Sequence, residues 1–257
     1  LDFGDVSALF VGKLENWEEM KQGVRDDMPI IAFPHYKDHS KISEGKQWYD
    51  FINEFDAQTE DFKPKLKDIW TIIFTSGTTG DPKGVVLTYE TLYNTKRITE
   101  DGNPLKVDFS GNNDFISYMP LNHIFERVVI EHSAFRFGGT ISFVESLETF
   151  GQNLNDVKPT AFQGVPRIYS KFQEKILMKM SQKKLSTLLK IPIISFILKK
   201  KLRGALGMSR VRSLVTGAAA MPLELLDWYK SIGIYITNGY GMTENCATCT
   251  NLNPYQP

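Results

Sequence analysis

A chain of 257 residues that is 42% apolar and 12% aromatic is long enough to bury one large core or two small ones. Thirty basic and thirty acidic side chains cancel, so overall charge argues neither for nor against a polyanionic partner. Two cysteines, Cys246 and Cys249, exclude a disulfide framework and suit a reducing compartment.

In chain order, residues 7–11 form a short apolar run, 16–24 carry helix formers and 29–33 are apolar again. Residues 44–55 have helical spacing, with Trp48, Phe51, Ile52 and Phe55 on one face. Residues 69–74 read as a buried strand leading into a Gly- and Thr-rich segment, 75–84, after which 89–98 is helical. Further strands are predicted over 115–118, 140–143, 160–164, 211–216 and 234–237, and further helices over 125–137, 150–157, 168–180 and 223–229. This alternation implies an α/β fold with a mostly parallel sheet flanked by helices. Such sheets hold ligands beyond the carboxyl ends of their strands, here the loops after Phe74, Tyr118, Thr216 and Thr237. No apolar run of ~20 residues and no leader is present, so no membrane span or signal peptide is expected. Both ends read as cut: Leu1 falls in mid-domain and Pro257 in a polar loop.

The sharpest signal is Thr75-Ser76-Gly77-Thr78-Thr79-Gly80-Asp81-Pro82-Lys83-Gly84. Its three glycines let the backbone turn tightly and bring N–H groups close to anionic oxygens. The hydroxyls of Thr75, Ser76, Thr78 and Thr79 can donate to phosphate oxygens, and Lys83 adds a charge that Pro82 helps to position. A Walker A loop would need a hydroxyl residue where Gly84 stands.

Two more segments carry chemistry. His123 closes a Met119-Pro-Leu-Asn-His123 run after a predicted strand; taken alone, such a histidine is more often structural than catalytic. Asn238-Gly239-Tyr240-Gly241-Met242-Thr243-Glu244 offers an aromatic face to a base, the Thr243 hydroxyl to a phosphate and the Glu244 carboxylate to Mg2+. Upstream, Gly217, Ala218 and Ala219 are small enough for a flat base to slide against backbone. The Cys246/Cys249 spacing invites a redox or metal reading, but no second pair completes a zinc site, and the two are read as small residues near a strand.

These segments together resemble the adenylate-forming (acyl-activating) superfamily of acyl-CoA synthetases, firefly-type luciferases and peptide-synthetase adenylation domains. T-S-G-T-T-G-x-P-K-G resembles the loop that holds the β- and γ-phosphates of ATP, and Y-G-x-T-E resembles a second superfamily motif. The P-L-x-H segment implies that His123 borders the acyl site and the thiol path. Within the superfamily, P-L-N-H-I-F-E-R and Gln163-Gly-Val-Pro-Arg-Ile-Tyr169 are similar to long-chain fatty acid:CoA ligases. By position Tyr169 matches an aromatic that closes the fatty-acyl tunnel in some relatives; a gate and a plain core tyrosine stand as equal readings.

The resemblance implies that 1–257 is a partial AMP-binding (adenylation) domain, the core of the large N-terminal domain, truncated at both ends. The small C-terminal domain is then absent, with its lysine, the hinge and the ribose-binding carboxylate. Implied substrates are ATP, a fatty acid and CoA, with Mg2+; implied products are acyl-CoA, AMP and pyrophosphate. Lys83, His123, Thr243 and Glu244 would be catalytic, Glu244 holding the metal. The nucleotide would lie against Thr75 to Gly80, Lys83, Gly217 to Ala219, Asn238 to Gly241 and Thr243. A fatty acyl-AMP ligase loading a carrier protein and a non-catalytic nucleotide-binding module stay as alternatives, and the fragment by itself is expected to form no thioester.

Between 171 and 203, nine lysines and Arg203 face one acid, Glu174, with apolar residues interleaved. A solvated helical face is favoured over contact with an anionic membrane. No nucleic acid partner is expected. The expected location is the cytoplasm, with peripheral contact at the inner face of a membrane as the alternative.

Overall fold

The computed structural model describes residues 4–76, 80, 82–103 and 105–252. The chain divides into two compact units, Leu1–Lys63 and Pro64–Pro257.

In the first unit, β1 (Leu9–Val11), β2 (Ile30–Ala32) and β3 (Lys46–Gln47) form a parallel sheet in that order, with short helices α1 (Trp17–Met20) and α2 (Trp48–Ile52). Val11, Trp17, Ala32 and Ile42 make its core. Trp17 Nε1 donates to Glu44 at 2.8 Å while Lys21 reaches the other carboxylate oxygen at 2.9 Å. The helix expected over 44–55 shrinks to five residues, because Lys46 and Gln47 extend the sheet in register with Ile31 and Ala32. Phe55 then lies exposed beyond the helix end.

The second unit opens with β4 (Ile69–Ser76) and β5 (Pro82–Thr88), an antiparallel ladder running from Ile69↔Thr88 to Ser76↔Pro82. Strand 69–74 was expected to be buried, yet Ile69, Ile72 and Phe74 are all exposed. A two-stranded antiparallel ladder covers one face and leaves the other to water. The covered face holds Ile73 and Leu87, which pack with Ile124, Val128 and Cys246.

After α3 (Tyr89–Gly102) and β6 (Asp114–Ser117), the helix expected over 125–137 is a seven-residue π-helix, Glu126–His132, running into α4 (Ser133–Phe137). The widened turn buries Glu126, Val128, Val129 and Ile130 together. β7 (Thr140–Phe143) pairs parallel with β6. There follow α5 (Phe150–Val157), β8 (Ala161–Gly164), α6 (Pro166–Lys179), α7 (Gln182–Leu189), α8 (Pro192–Ala205), β9 (Ser213–Thr216), α9 (Leu223–Ser231), β10 (Thr237–Tyr240) and β11 (Thr250–Leu252). β8, β9 and β10 pair parallel, and β11 adds an antiparallel edge to β10. The mostly parallel α/β arrangement read from the sequence is the one observed.

Local chemistry sets several boundaries. Pro166 and Pro192 open α6 and α8, where a missing N–H leaves nothing unpaired. The Ser181 side chain caps α7 by accepting from the Lys184 N–H. Phe162 and Leu214 of the strands, Phe150 and Leu154 of α5, Tyr169 and Phe172 of α6, and Trp228 and Tyr229 of α9 share one core. The last parallel strand was expected over 234–237 and forms instead over Thr237–Tyr240. Ile232, Ile234 and Ile236 are buried as core side chains, and the Ile234 N–H is taken by the Tyr229 carbonyl at the end of α9, so pairing with β9 begins at Thr237.

Candidate functional site

The carboxyl ends of four strands wall a cavity of about 240 Å3. Tyr118 and Met119 follow β6, Gln163, Gly164 and Val165 end β8, Gly217 and Ala218 follow β9, and Gly239, Gly241, Met242 and Thr243 come from β10 and its exit. His123, Ile124, Phe125 and Ala247 complete the lining.

Small residues are required where the backbone is crowded. A Cβ on Gly217 would stand 3.1 Å from the Gly239 carbonyl oxygen, and one on Gly241 would stand 2.3 Å from the Ala247 backbone. Ala218 turns the chain with φ +64°. The Met242 N–H donates to Asn245 Oδ1 at 2.9 Å, which fixes the single 3-10 turn Thr243–Asn245. Cys246 is buried beneath it and Cys249 is exposed.

His123 is half-buried, and its Nδ1 accepts the Phe125 N–H at 3.3 Å. The neutral ring therefore carries its proton on Nε2. Burial lowers its pKa, which keeps it neutral at pH 7. One helical turn on, Glu126 is fully buried, and burial pushes its carboxyl up to about 7. The Ser117 hydroxyl and Met119 N–H face it and offset part of that shift, though neither carboxylate oxygen gains a hydrogen bond of good geometry; the Glu131 charge raises it further. Tyr118 donates to the Gln163 carbonyl at 3.0 Å and so ties the exit of β6 to the end of β8.

Of the residues singled out in the sequence, His123, Gly217, Ala218, Gly239, Gly241 and Thr243 meet in this cavity. Ala219, Asn238, Tyr240 and Glu244 belong to the same segments without lining it; Tyr240 and Glu244 are exposed beside it. Thr75 and Lys83 sit opposite each other on the β4–β5 ladder, where Thr75 Oγ1 donates to the Lys83 carbonyl at 3.5 Å. Ser76, Gly80 and Lys83 are exposed, and none of the described residues of 75–84 lines the cavity. β5, the strand that leaves this segment, lies against the Thr243–Asn245 turn. Gly77, Thr78 and Thr79 lie outside the described residues.

For Tyr169 the gate and the core reading stood level. It is fully buried, its hydroxyl donates to the Val215 carbonyl at 2.9 Å, and its own carbonyl accepts from Tyr229 at 2.6 Å. A ring held in this way, packed behind Gly164, favours the core reading. The sequence reading also missed Tyr118, Phe125, Gln163, Met242 and Ala247 as lining residues. The end of β8 was the available signal for Gln163, because strand ends in a parallel sheet face the ligand crevice.

Among the described residues no three His, Cys, Asp or Glu side chains are grouped to hold a metal. Glu244 supplies one exposed carboxylate, which fits Mg2+, an ion that keeps several waters and takes phosphate oxygens alongside one or two carboxylates.

The chain is 29% identical over 269 residues to long-chain-fatty-acid–CoA ligase 5 of Mus musculus, covering 92% of this chain and 38% of the relative. It is 32% identical over 212 residues to long chain acyl-CoA synthetase 6, peroxisomal, of Arabidopsis thaliana, covering 75% and 29%. It thus spans under two-fifths of the length of these relatives. Among solved structures, the anthranilate CoA ligase AuaEII in complex with anthranoyl-AMP superposes with a TM-score of 0.71 at 18% identity, over 98% of this chain and 44% of that one. A malonyl-CoA ligase with methylmalonyl-CoA and AMP bound gives 0.59 at 22%, over 98% and 50%. At these identities the structures speak for the fold. The family model of the AMP-binding enzymes matches residues 3–257, and the chain belongs to that family.

Proposed function

We propose that the protein carrying this domain is a long-chain fatty acid:CoA ligase working through an acyl adenylate. The supporting observation is the convergence of His123, Gly217, Ala218, Gly239, Gly241 and Thr243 on one cavity at the strand ends, together with similarity to long-chain ligases over most of the chain. A carboxylate oxygen of the fatty acid attacks the α-phosphorus of ATP and pyrophosphate leaves. The sulfur of CoA then attacks the acyl carbon, the thiol proton passes to solvent or a base, and AMP leaves.

In this reading the Thr75–Gly80 segment and Lys83 meet the β- and γ-phosphates, Thr243 orients the α-phosphate, and the base lies against Gly217–Ala219, Asn238, Gly239 and Tyr240. Each acts by placing donors or charge where phosphate charge develops. Mg2+, held by the phosphates and Glu244, would neutralise charge on the leaving group. His123 is neutral with Nε2–H as its donor, suited to hold the acyl carboxylate oxygen at the cavity wall. We take the parent protein to be cytoplasmic, the reading that two cysteines in 257 residues support.

The test is pyrophosphate release by the full-length protein with ATP and palmitate and no thiol, followed by addition of CoA or a phosphopantetheinyl carrier protein. Fatty-acid-dependent release followed by acyl-CoA is expected; loading of the carrier alone would reassign the acceptor, and no release would overturn the reading. Lys83→Ala should lower the release rate roughly tenfold to a hundredfold with unchanged melting temperature, because Lys83 is exposed and carries no core contact.

A further inference from the structure

Buried side-chain polar atoms without a hydrogen-bond partner in the protein gather on one side of the candidate site. Among the described residues they are both Glu126 carboxyl oxygens, Arg127 Nε, Glu131 Oε2, His132 Nε2, Gln163 Nε2 and Thr216 Oγ1. Arg127 and Glu131 form an ion pair at 3.3 Å, which leaves Glu126, His132, Gln163 and Thr216. Glu126 and His132 stand at the two ends of the π-helix. Gln163 lies on the face of β8 that this helix covers, since Ala161, two residues earlier on that face, packs with Ile130 and Ala134. Two cavities adjoin there. Gln163 and His123 share the wall of the first, and a second of about 140 Å3 is lined in part by Val128, Val129, His132 and Val215. Phe125, Gly239 and Ala247 line both.

We propose that this site selects a long-chain fatty acid carrying a hydroxyl group, whose oxygen accepts a hydrogen bond from Gln163 Nε2. Gln163 is 3% exposed, so water cannot freely solvate its amide, and a plain methylene chain beside it leaves that donor unpaired. A hydroxyl on the chain satisfies it, which is how a buried polar group discriminates between substrates that differ by one oxygen. Gln163 shares its cavity with His123, which the ligase reading sets against the acyl carboxylate, so the hydroxyl belongs within the first few carbons. The rest of the chain passes Phe125 into the second cavity. There His132 is the competing polar point: burial, then the Arg136 charge, lower its pKa, and a neutral ring would suit a hydroxyl at the far end of the chain instead. This inference rests on the ligase reading and names its substrate class.

The test is pyrophosphate release by the full-length protein with ATP and palmitate, β-hydroxypalmitate or ω-hydroxypalmitate. The kcat/KM for β-hydroxypalmitate is expected to exceed that for palmitate about tenfold or more. Gln163→Leu should bring that ratio close to one. The variant should melt no lower than the parent, because it removes a buried nitrogen that has no partner in the protein. A thermal-shift titration of the parent, which needs no variant, should find tighter binding of β-hydroxypalmitate than of palmitate. Equal use of palmitate would overturn the inference and leave the ligase reading standing, whereas no release with any of the three acids would overturn the ligase reading itself. A preference for the ω-hydroxy acid, or a β-hydroxy preference that survives Gln163→Leu, would remove Gln163 as the selecting group. A variant that melts well below the parent would show that the amide holds ordered water rather than substrate, and would also sink the proposal.

Discussion

Glu126 and Gly241 show how single residues limit this site. The folded protein holds a proton on Glu126 up to about pH 7, whereas the unfolded chain releases it near 4.5. Between those values the folded state binds more protons, so stability falls as pH rises through the window, by about 3 kcal/mol in all. Glu126→Gln should abolish that slope and leave the variant more stable than the parent at pH 8 but not at pH 5. Urea unfolding at both values checks it, and parallel curves for the two proteins would show a carboxyl ionised throughout. Gly241→Ala should cost more than about 2 kcal/mol, since its Cβ would overlap the Ala247 backbone; thermal melting measures this. Tyr169→Phe should cost about 1–2 kcal/mol by removing the buried hydrogen bond to the Val215 carbonyl. The acyl-chain preference of the full-length protein should not move, because the ring stays in place.

Among the elements, the β4–β5 ladder and the π-helix depart most from what local pattern suggests. Residues 69–74 are apolar enough to be a central strand, yet the partner is the adjacent β5, and one face of the ladder stays open. Val86 is 53% exposed and Leu87 2%, so Val86→Lys should shift stability by less than about 0.5 kcal/mol and Leu87→Ala should cost about 2–5 kcal/mol. A similar loss at both positions would mean that another part of the full-length protein covers the outer face. Helices 150–157 and 223–229 were legible because their amphipathic spacing matches a single buried side. The π-helix was not, since its apolar residues bury on more than one side and no local residue signals the wider turn.

At the scale of the whole molecule, all residues of the site belong to the second unit. Residues 56–65 have no regular structure and are largely exposed. Limited trypsin digestion should therefore cut first after Lys65 and Lys67, with Lys63 spared by the proline that follows it. First cuts within 150–216 would contradict that order. The sequence by itself determined the α/β alternation, the Gly-, Thr- and Ser-rich run at 75–84 and the segments that carry His123, Gly217 and Thr243, because periodicity and dense runs of Gly, Thr and Ser are local properties. Tertiary structure alone decided that β4 pairs with β5, that Tyr169 lies in the core, and that Gln163 and Phe125 share a wall with His123. Those outcomes depend on which distant strands end side by side and on which side chains burial leaves room for, and neither is recorded within a few residues of chain.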